Sequence, residues 1–138
     1  MSVIVDTPVW SLAFRRRGVD LSALETATVA ELAKLVRERR AALLGPIRQE
    51  LLSGLRDAAV FDRLRLLLRP IPDAPLGVED LEEAARCANR CRASGVAGSP
   101  VDFLICGCAL RISAAIFTLD RDFSRYARVL DLRLHTAG

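Results

Sequence analysis

Histidine is almost absent from this chain of 138 residues, and its one copy, His135, lies close to the C-terminal end. Ser-His-Asp and Cys-His centres need a histidine to carry the proton, so the sequence argues against hydrolases of those kinds. Two phosphate-binding patterns are also missing. No Gly-x-Gly-x-x-Gly follows the first predicted strand, and no Gly-x-x-x-x-Gly-Lys-Ser/Thr occurs. Dinucleotide-dependent and P-loop chemistry are therefore unsupported.

The chain also lacks a long apolar run. The stretch from Phe103 to Leu110 is far too short to span a bilayer. The opening MSVIVD has no basic segment of the kind that begins a secretory signal. We therefore expect a cytoplasmic protein. The length and a hydrophobic fraction of 51% suit one domain built around one core.

Lysine is nearly missing too, since Lys34 is the only one, and the formal net charge is +3. Such a charge permits a polyanionic partner without requiring it. Arginine holds phosphate through paired hydrogen bonds, but genomic base composition produces the same arginine bias, so both explanations stay open. Three arginine clusters either hold phosphates or face solvent beside nearby acids. They are Arg15–Arg17, the set Arg37, Arg39 and Arg40, and the set Arg86, Arg90 and Arg92.

The four cysteines form two close pairs, Cys87 with Cys91 and Cys106 with Cys108. A structural zinc site needs a closed tetrahedral set of cysteines and histidines. The second pair lies in an apolar run, where cysteine behaves as a small hydrophobic residue. We expect reduced, buried thiols.

Apolar patterns predict strands that alternate with helices along the chain. The strands are predicted at 2–5, 41–44, 69–73 (weakly), 115–119 and 129–134. The helices are predicted at 7–17, 21–40, 46–54, 55–68, 78–92, 100–112 and 121–127. This alternation indicates an α/β fold with a mainly parallel sheet.

Two aspartates directly follow predicted strands. Asp6 comes after Val3–Val5, and Asp120 comes after Leu119. Ligands of open parallel sheets bind beyond the carboxyl ends of the strands, so both aspartates are candidate site residues. Each would serve equally well as the N-cap of the next helix. Asp122 is either an acid in the first turn of that helix or a fifth member of the site.

Two further acids, Glu50 and Asp102, lie on predicted helices. Glu50 borders an apolar face, although a glutamate that reaches out to water explains this position as well. Asp102 is the only charged residue from Val101 to Leu110, in a segment where an unpaired buried carboxylate would be costly. The segment beginning at Ser99 also resembles a helix capping box, which is compatible with a site role for Asp102.

Carboxylates gathered in one cleft repel, and each raises the pKa of the others. A divalent cation removes that repulsion, and oxygen ligands favour Mg²⁺ or Mn²⁺ over zinc. Metal-assisted hydrolysis of a phosphodiester fits this arrangement best. A phosphatase that forms an aspartyl-phosphate on Asp6 stays open, although Pro8 stands where that class has its second aspartate.

Four segments, in order, resemble the successive motifs of PIN-domain nucleases, in particular the VapC toxins. They are VIVDTPVW, PIRQELLSGL, SPVDFLICGCA and IFTLDRDF. The resemblance spans nearly the whole chain. It implies a single PIN domain over residues 1–138, folded as a three-layer α/β/α sandwich with a mainly parallel sheet of about five strands.

The resemblance also implies a function. Asp6, Glu50, Asp102 and Asp120 would be the catalytic residues and the ligands of Mg²⁺ or Mn²⁺. The protein would be the endoribonuclease toxin of a type II toxin–antitoxin pair, cleaving structured RNA such as tRNA or rRNA and so inhibiting translation. The resemblance implies that the protein binds a cognate VapB-type antitoxin and contacts operator DNA only through that antitoxin. It also implies that two copies of the chain form a homodimer. Pro8 departs from the pattern, because many members have serine or asparagine there, so a non-catalytic PIN-like binding module stays as an alternative.

Overall fold

A parallel sheet lies at the centre of the computed structural model, which describes residues 1–14 and 20–137. Its strand order is β2-β1-β3, with β1 at Val3–Val5, β2 at Ala41–Ala42 and β3 at Ala115–Phe117. β1 pairs in parallel with both neighbours. All eight strand residues are buried, which explains why the strands are continuous apolar runs without polar alternation.

The outer strands predicted at 69–73 and 129–134 are wrong as strands, because each segment contributes only a single parallel bridge. The bridges join Leu43 to Asp73 and Ile116 to Leu134. At the first edge, prolines 70 and 72 lack the N–H that a continuous ladder needs. At the second edge, the Leu132 N–H donates to the carbonyl of Leu130, which turns the chain. The sheet thus joins five chain segments, three of them strands, and the predicted α/β class is confirmed.

Seven helices surround the sheet in the described part of the chain. They are α1 Thr7–Ala13, α2 Ala23–Arg37, α3 Gly45–Leu52, α4 Ala58–Leu68, α5 Val78–Ala93, α6 Pro100–Ile112 and α7 Asp122–Tyr126. α1 packs on α2 and α3, and α3 packs on α4, whereas α5 packs on α6 and α6 contacts β3. Two groups of helices around one sheet are the arrangement expected of an α/β/α sandwich. Over the described ranges, every helix is too short or too polar to cross a membrane.

Side-chain caps set several helix starts and shift the predicted boundaries. Ser22 and Glu25 form a reciprocal capping box, so α2 begins at 23 and not at 21. Asp57 accepts from the N–H of Ala59 at 2.8 Å, so α4 begins at 58 and not at 55. Ser99 opens α6 as predicted. The predicted first helix runs into residues 15–17, which lie outside the described residues.

α5 and α6 approach closely because Gly107 has no side chain. A Cβ at this position would lie 2.6 Å from the backbone nitrogen of Ala84. The guanidinium of Arg111 on α6 also reaches across to α5, 3.0 Å from Asp80 and 2.6 Å from Glu79. The helix that carries Asp102 is therefore fixed against its neighbour along its length.

The four cysteines are reduced and buried on this helix pair, as predicted. Cys87 and Cys91 are on α5, and Cys106 and Cys108 are on α6. Burial raises the pKa of the Cys87 and Cys108 thiols to about 11. These side chains therefore act as small apolar core residues at neutral pH.

One arginine holds α3 to the loop that follows α4. The Arg48 guanidinium donates to the carbonyl oxygens of Leu68 at 2.9 Å and Ile71 at 2.7 Å. It also lies 2.8 Å from the carboxylate of Asp73. The position and rotation of the short helix α3 are thereby fixed.

Candidate active site

Asp6 stands at the carboxyl end of the central strand β1, where β2 lies on one side and β3 on the other. This is the switch point at which open parallel sheets form a binding crevice. Its Oδ1 accepts the N–H of Thr7 at 2.8 Å, so Asp6 is the N-cap of α1. Its Oδ2 accepts the hydroxyl of Thr118 at 2.8 Å. Asp6 therefore caps a helix and also lines the crevice.

Asp6 is only 8% exposed, and this burial raises the pKa of its carboxyl group above the ordinary value. Hydrogen bonds from Thr118 and Thr7 act in the opposite direction, and the negative charges of Asp102 and Asp120 raise the pKa further. The electrostatic environment of Asp6 is therefore one that a nearby cation would relieve.

Asp102 is the third residue of α6, and its N–H donates to the capping hydroxyl of Ser99 at 3.1 Å. Its Oδ2 accepts the hydroxyl of Tyr126 at 2.6 Å. Burial, followed by this hydrogen bond, raises the pKa of Tyr126 well above its ordinary value, so the phenol is a donor at neutral pH. The backbone N–H of Asp102 thus takes part in the helix cap, while its carboxylate lines the crevice.

Asp120 follows β3, and Asp122 is the first residue of α7. The N–H of Asp120 donates to the Thr118 hydroxyl at 3.0 Å, and the N–H of Asp122 donates to Asp120 Oδ1 at 2.9 Å. One carboxylate oxygen from each of Asp102, Asp120 and Asp122 lies within 4.8 Å of the other two. Three acids from α6, the β3–α7 turn and α7 thus form one close cluster.

Glu50 is exposed on α3, and its Oε2 accepts the Thr7 hydroxyl at 3.1 Å. It completes a cleft of about 450 Å³ that is lined by all four acids singled out from the sequence. The lining residues are Asp6, Thr7, Pro8, Ser11, Glu50, Ser99, Val101, Asp102 and Asp120. Pro8 contributes apolar surface to this cleft.

The donor set fits a hard divalent cation. Within residues 1–14 and 20–137, no arginine, lysine or histidine forms an ion pair with Asp6, Glu50, Asp102 or Asp120. The cluster offers only carboxylate and hydroxyl oxygens, which suit Mg²⁺ or Mn²⁺. The cleft therefore combines concentrated negative charge with the ligand chemistry that would hold such an ion.

Three hydroxyl residues at this site were missed by the sequence analysis. Thr118 bridges Asp6 and Asp120, Tyr126 binds Asp102, and Ser11 lines the cleft. Thr118 could have been predicted from the sequence. It lies two residues before Asp120 at a strand end, and residues two apart in a strand point to the same face of the sheet. Tyr126 could not have been predicted, because its contact joins α7 to α6 across 24 residues.

Several arginines of the predicted clusters form interactions away from the acidic cleft. Arg40 pairs with Glu38, and Arg86 pairs with Glu83. Arg90 donates to the carbonyl of Val129. None of the described arginines is among the residues that line the acidic cleft, and Arg15–Arg17 lie outside the described residues.

Comparisons with known proteins identify the family. No curated protein sequence matches the chain. FitAcB from Neisseria gonorrhoeae is similar in structure, with 18% identity, coverage of 98% of this chain and 97% of the other, and a TM-score of 0.72. VapBC2 from Rickettsia felis, bound to a DNA fragment from its promoter, has 16% identity, 98% coverage of both chains and a TM-score of 0.76.

VapBC-1 from nontypeable Haemophilus influenzae has 16% identity, coverage of 99% and 98%, and a TM-score of 0.71. At these low identities, the TM-scores show a shared fold and no more than that. The PIN domain model matches residues 3–129, which include all five acids described above. The chain therefore belongs to the PIN-domain family.

Proposed function

We propose that this protein is a Mg²⁺-dependent endoribonuclease and the toxin of a type II toxin–antitoxin pair. The observation that carries the proposal is the meeting of Asp6, Glu50, Asp102 and Asp120 in one cleft without a basic partner among the described residues. The PIN-domain match supports nuclease chemistry. The four carboxylates would hold Mg²⁺ or Mn²⁺, and Asp122 would stand beside them as a fifth.

A bound divalent ion supplies Lewis acidity, which lowers the pKa of water and neutralises charge on a phosphate under attack. The protein's own residues orient the carboxylates. Thr118 holds Asp6 on one side of the cleft, and Tyr126 holds Asp102 on another. Val101 and Pro8 add apolar surface beside these acids, and displacement of water there strengthens every electrostatic interaction.

We propose RNA as the substrate on family likeness, with structured RNA such as tRNA or rRNA as the target and inhibition of translation as the consequence. This reaction belongs in the cytoplasm, where translation occurs. Sequencing of RNA ends after brief expression, beside an Asp6→Ala control, identifies the cleaved RNA. Cleavage patterns that do not differ between the two proteins would exclude this activity.

Purified protein tests the metal chemistry directly. We expect cleavage of RNA in Mg²⁺ or Mn²⁺, complete loss with EDTA, and loss in Asp102→Asn with the fold retained. Asp131→Asn is a matched control, because Asp131 is an exposed aspartate outside the cleft, and it should keep full activity. Wild-type cleavage by the Asp102→Asn protein would show that Asp102 is wrongly assigned.

A cognate VapB-type antitoxin is the proposed partner, and operator DNA is bound only through it. Support comes from the VapBC relatives, one of them bound to promoter DNA. On this chain, α4 exposes Leu66 at 60% and Leu67 at 58%, an apolar surface suited to a partner helix. Co-purification with a co-expressed VapB-type antitoxin should be lost in Leu67→Asp.

We also propose a homodimer. An apolar groove of about 660 Å³ lies along α5 and α6 and includes Leu81, Ala85 and Leu104. A charge in such a face opposes self-association. Ala85→Arg should therefore reduce the mass measured by light scattering from two chains to one, and an unchanged mass would remove this groove from the interface.

Pro8 favours a second candidate function, a PIN-like module that binds a protein without cleaving RNA. Its ring gives the cleft no polar group at a position where many relatives have one. Absence of Mn²⁺ binding together with tight antitoxin binding would favour this module. The aspartyl-phosphate alternative fits less well, because both oxygens of Asp6 accept hydrogen bonds. Trapping of a metal fluoride on Asp6 would nevertheless support it.

A further inference from the structure

Tyr126 is the only tyrosine in the chain and is fully buried, yet its hydroxyl reaches a carboxylate at the acidic cleft. The hydroxyl oxygen lies 2.6 Å from Asp102 Oδ2, a short distance typical of a hydrogen bond to an ionised acceptor. A buried phenol requires a partner for its O–H. Here that partner is a candidate metal ligand on another helix.

The ring that carries this hydroxyl is held on several sides. Phe103 on α6 packs against it with ring centroids 5.1 Å apart, and Phe123 packs edge-on at 5.2 Å. Gly98, just before α6, closes over the hydroxyl end. A Cβ at Gly98 would overlap the hydroxyl oxygen and would lie 2.8 Å from the ring carbon Cε1. The position of the donor is therefore set by packing and not only by its hydrogen bond.

This arrangement divides the two oxygens of Asp102 between two tasks. Oδ2 accepts the phenol, whereas Oδ1 accepts no hydrogen bond from any residue in the described ranges. An oxygen of Asp102 also belongs to the close cluster with Asp120 and Asp122. A fixed donor on one oxygen prevents the carboxylate from rotating and keeps the other oxygen available to a cation.

We propose that Tyr126 is a positioning residue that orients Asp102 for divalent metal binding, with Gly98 providing the space for its hydroxyl. This inference rests on the proposed metal-dependent function. Outer-shell partners of metal ligands typically change metal affinity by about 10- to 100-fold when they are removed. Tyr126 acts through Asp102 and does not itself contact the ion.

The first test compares Mn²⁺ affinity in wild-type and Tyr126→Phe protein by calorimetry, at fixed pH and with the metal alone. The substitution keeps the ring packing and removes only the hydroxyl, so we expect binding to weaken about 10-fold. Equal affinity in the two proteins would overturn the proposal. A separate comparison tests the proposed function. If wild-type protein binds Mn²⁺ no better than Asp102→Asn, the proposed metal site is wrong. If wild-type protein binds Mn²⁺ better than Asp102→Asn but no better than Tyr126→Phe, only the role of Tyr126 is wrong.

A second variant displaces the hydroxyl without removing it, and its melting temperature is measured beside its Mn²⁺ affinity to show that it is folded. Gly98→Ala keeps the hydroxyl but forces it away from Asp102, so Mn²⁺ affinity should fall in the same direction. Gly45→Ala is the matched control, because a Cβ at Gly45 meets nothing within 4 Å, and its affinity should equal that of the wild type. Wild-type affinity in Gly98→Ala would contradict the role given to the hydroxyl.

A spectroscopic measurement distinguishes a positioning role of Tyr126 from a general effect of the substitution on protein stability. Tyr126 is the only phenol, so Mg²⁺ binding should perturb the tyrosine absorption band in wild-type protein, and no such Mg²⁺-induced change should appear in Tyr126→Phe, which has no tyrosine. Ile71→Val provides a modest loss of core stability away from the acids, and it should retain the Mg²⁺-induced change. A wild-type spectrum that does not respond to Mg²⁺, in protein shown to bind it, would refute the coupling.

Discussion

Replacing Thr118 with valine should damage the acidic cleft while leaving the side-chain shape nearly the same. The Thr118 hydroxyl donates to Asp6 Oδ2 at 2.8 Å and accepts the N–H of Asp120 at 3.0 Å. Valine makes neither bond. A hydrogen bond to a charged group contributes about 1.5 to 3 kcal/mol, and an ordinary one contributes about 1 kcal/mol. Because Thr118 is only half-buried, water replaces part of this, and we expect a loss of about 2 kcal/mol.

The effect should extend beyond stability. The bond from Thr118 lowers the pKa of Asp6 against the effect of burial, so its removal should raise that pKa further. The carboxylate also loses the donor that fixes Oδ2, and RNA cleavage in Mg²⁺ should fall. Urea unfolding at neutral pH gives the change in free energy, and single-turnover cleavage gives the change in rate.

Two controls separate the hydroxyl from the packing. Thr118→Ser keeps the hydroxyl and should keep most of the activity. Thr28→Val removes another buried hydroxyl, one that donates to the carbonyl of Leu24 within α2, and it should leave cleavage unchanged. If Thr118→Val matches the wild type in both assays, or if Thr118→Ser is equally damaged, the bridging role of the hydroxyl is wrong.

Three further predictions concern charge, packing and thiols. Because the folded metal-free protein holds the Asp6 proton more tightly than the unfolded chain, its stability should fall as the pH rises through the raised pKa. Asp6→Asn should flatten this dependence in EDTA and be more stable than wild type at neutral pH; a steeper profile would contradict the sign. Gly107→Ala should lower the free energy of unfolding by about 3 kcal/mol, since its Cβ would meet the backbone of Ala84; an unchanged melting temperature would refute that contact. Cys87 and Cys108, whose pKa values are about 11, should react with a disulfide reagent only after unfolding, so rapid labelling of native protein would be the contrary result.

The central part of the fold was predictable because its signals are local. Continuous apolar runs mark β1, β2 and β3. The Ser99 cap and the following apolar segment mark α6 to the residue. The sheet edges were not predictable in this way. Whether an apolar segment completes a ladder or touches the sheet at one residue depends on neighbours distant in sequence, as at Leu134.

The same distinction between local signals and long-range contacts holds for the candidate site. Asp6 and Asp120 were found because strand ends in a parallel sheet meet at one edge. Asp102 was found because a lone acid in an apolar helix is unusual. The contact between Thr118 and Asp6 spans 112 residues and follows only from β3 lying beside β1. Likewise, the packing of Gly98 against Tyr126 leaves no pattern in the sequence.

The attachment of α3 through Arg48 has a consequence for the most exposed of the four acids. An eight-residue helix has little stability of its own, and this one is fixed by the bonds from Arg48 to the loop after α4. Glu50, two residues further on, therefore projects an exposed side chain from a fixed helix, with the Thr7 hydroxyl as its hydrogen-bond donor. Its carboxylate can follow a substrate or ion over a limited arc without any movement of the backbone. Substitution of Arg48, which lines no part of the cleft, would enlarge that arc and reduce activity from a distance.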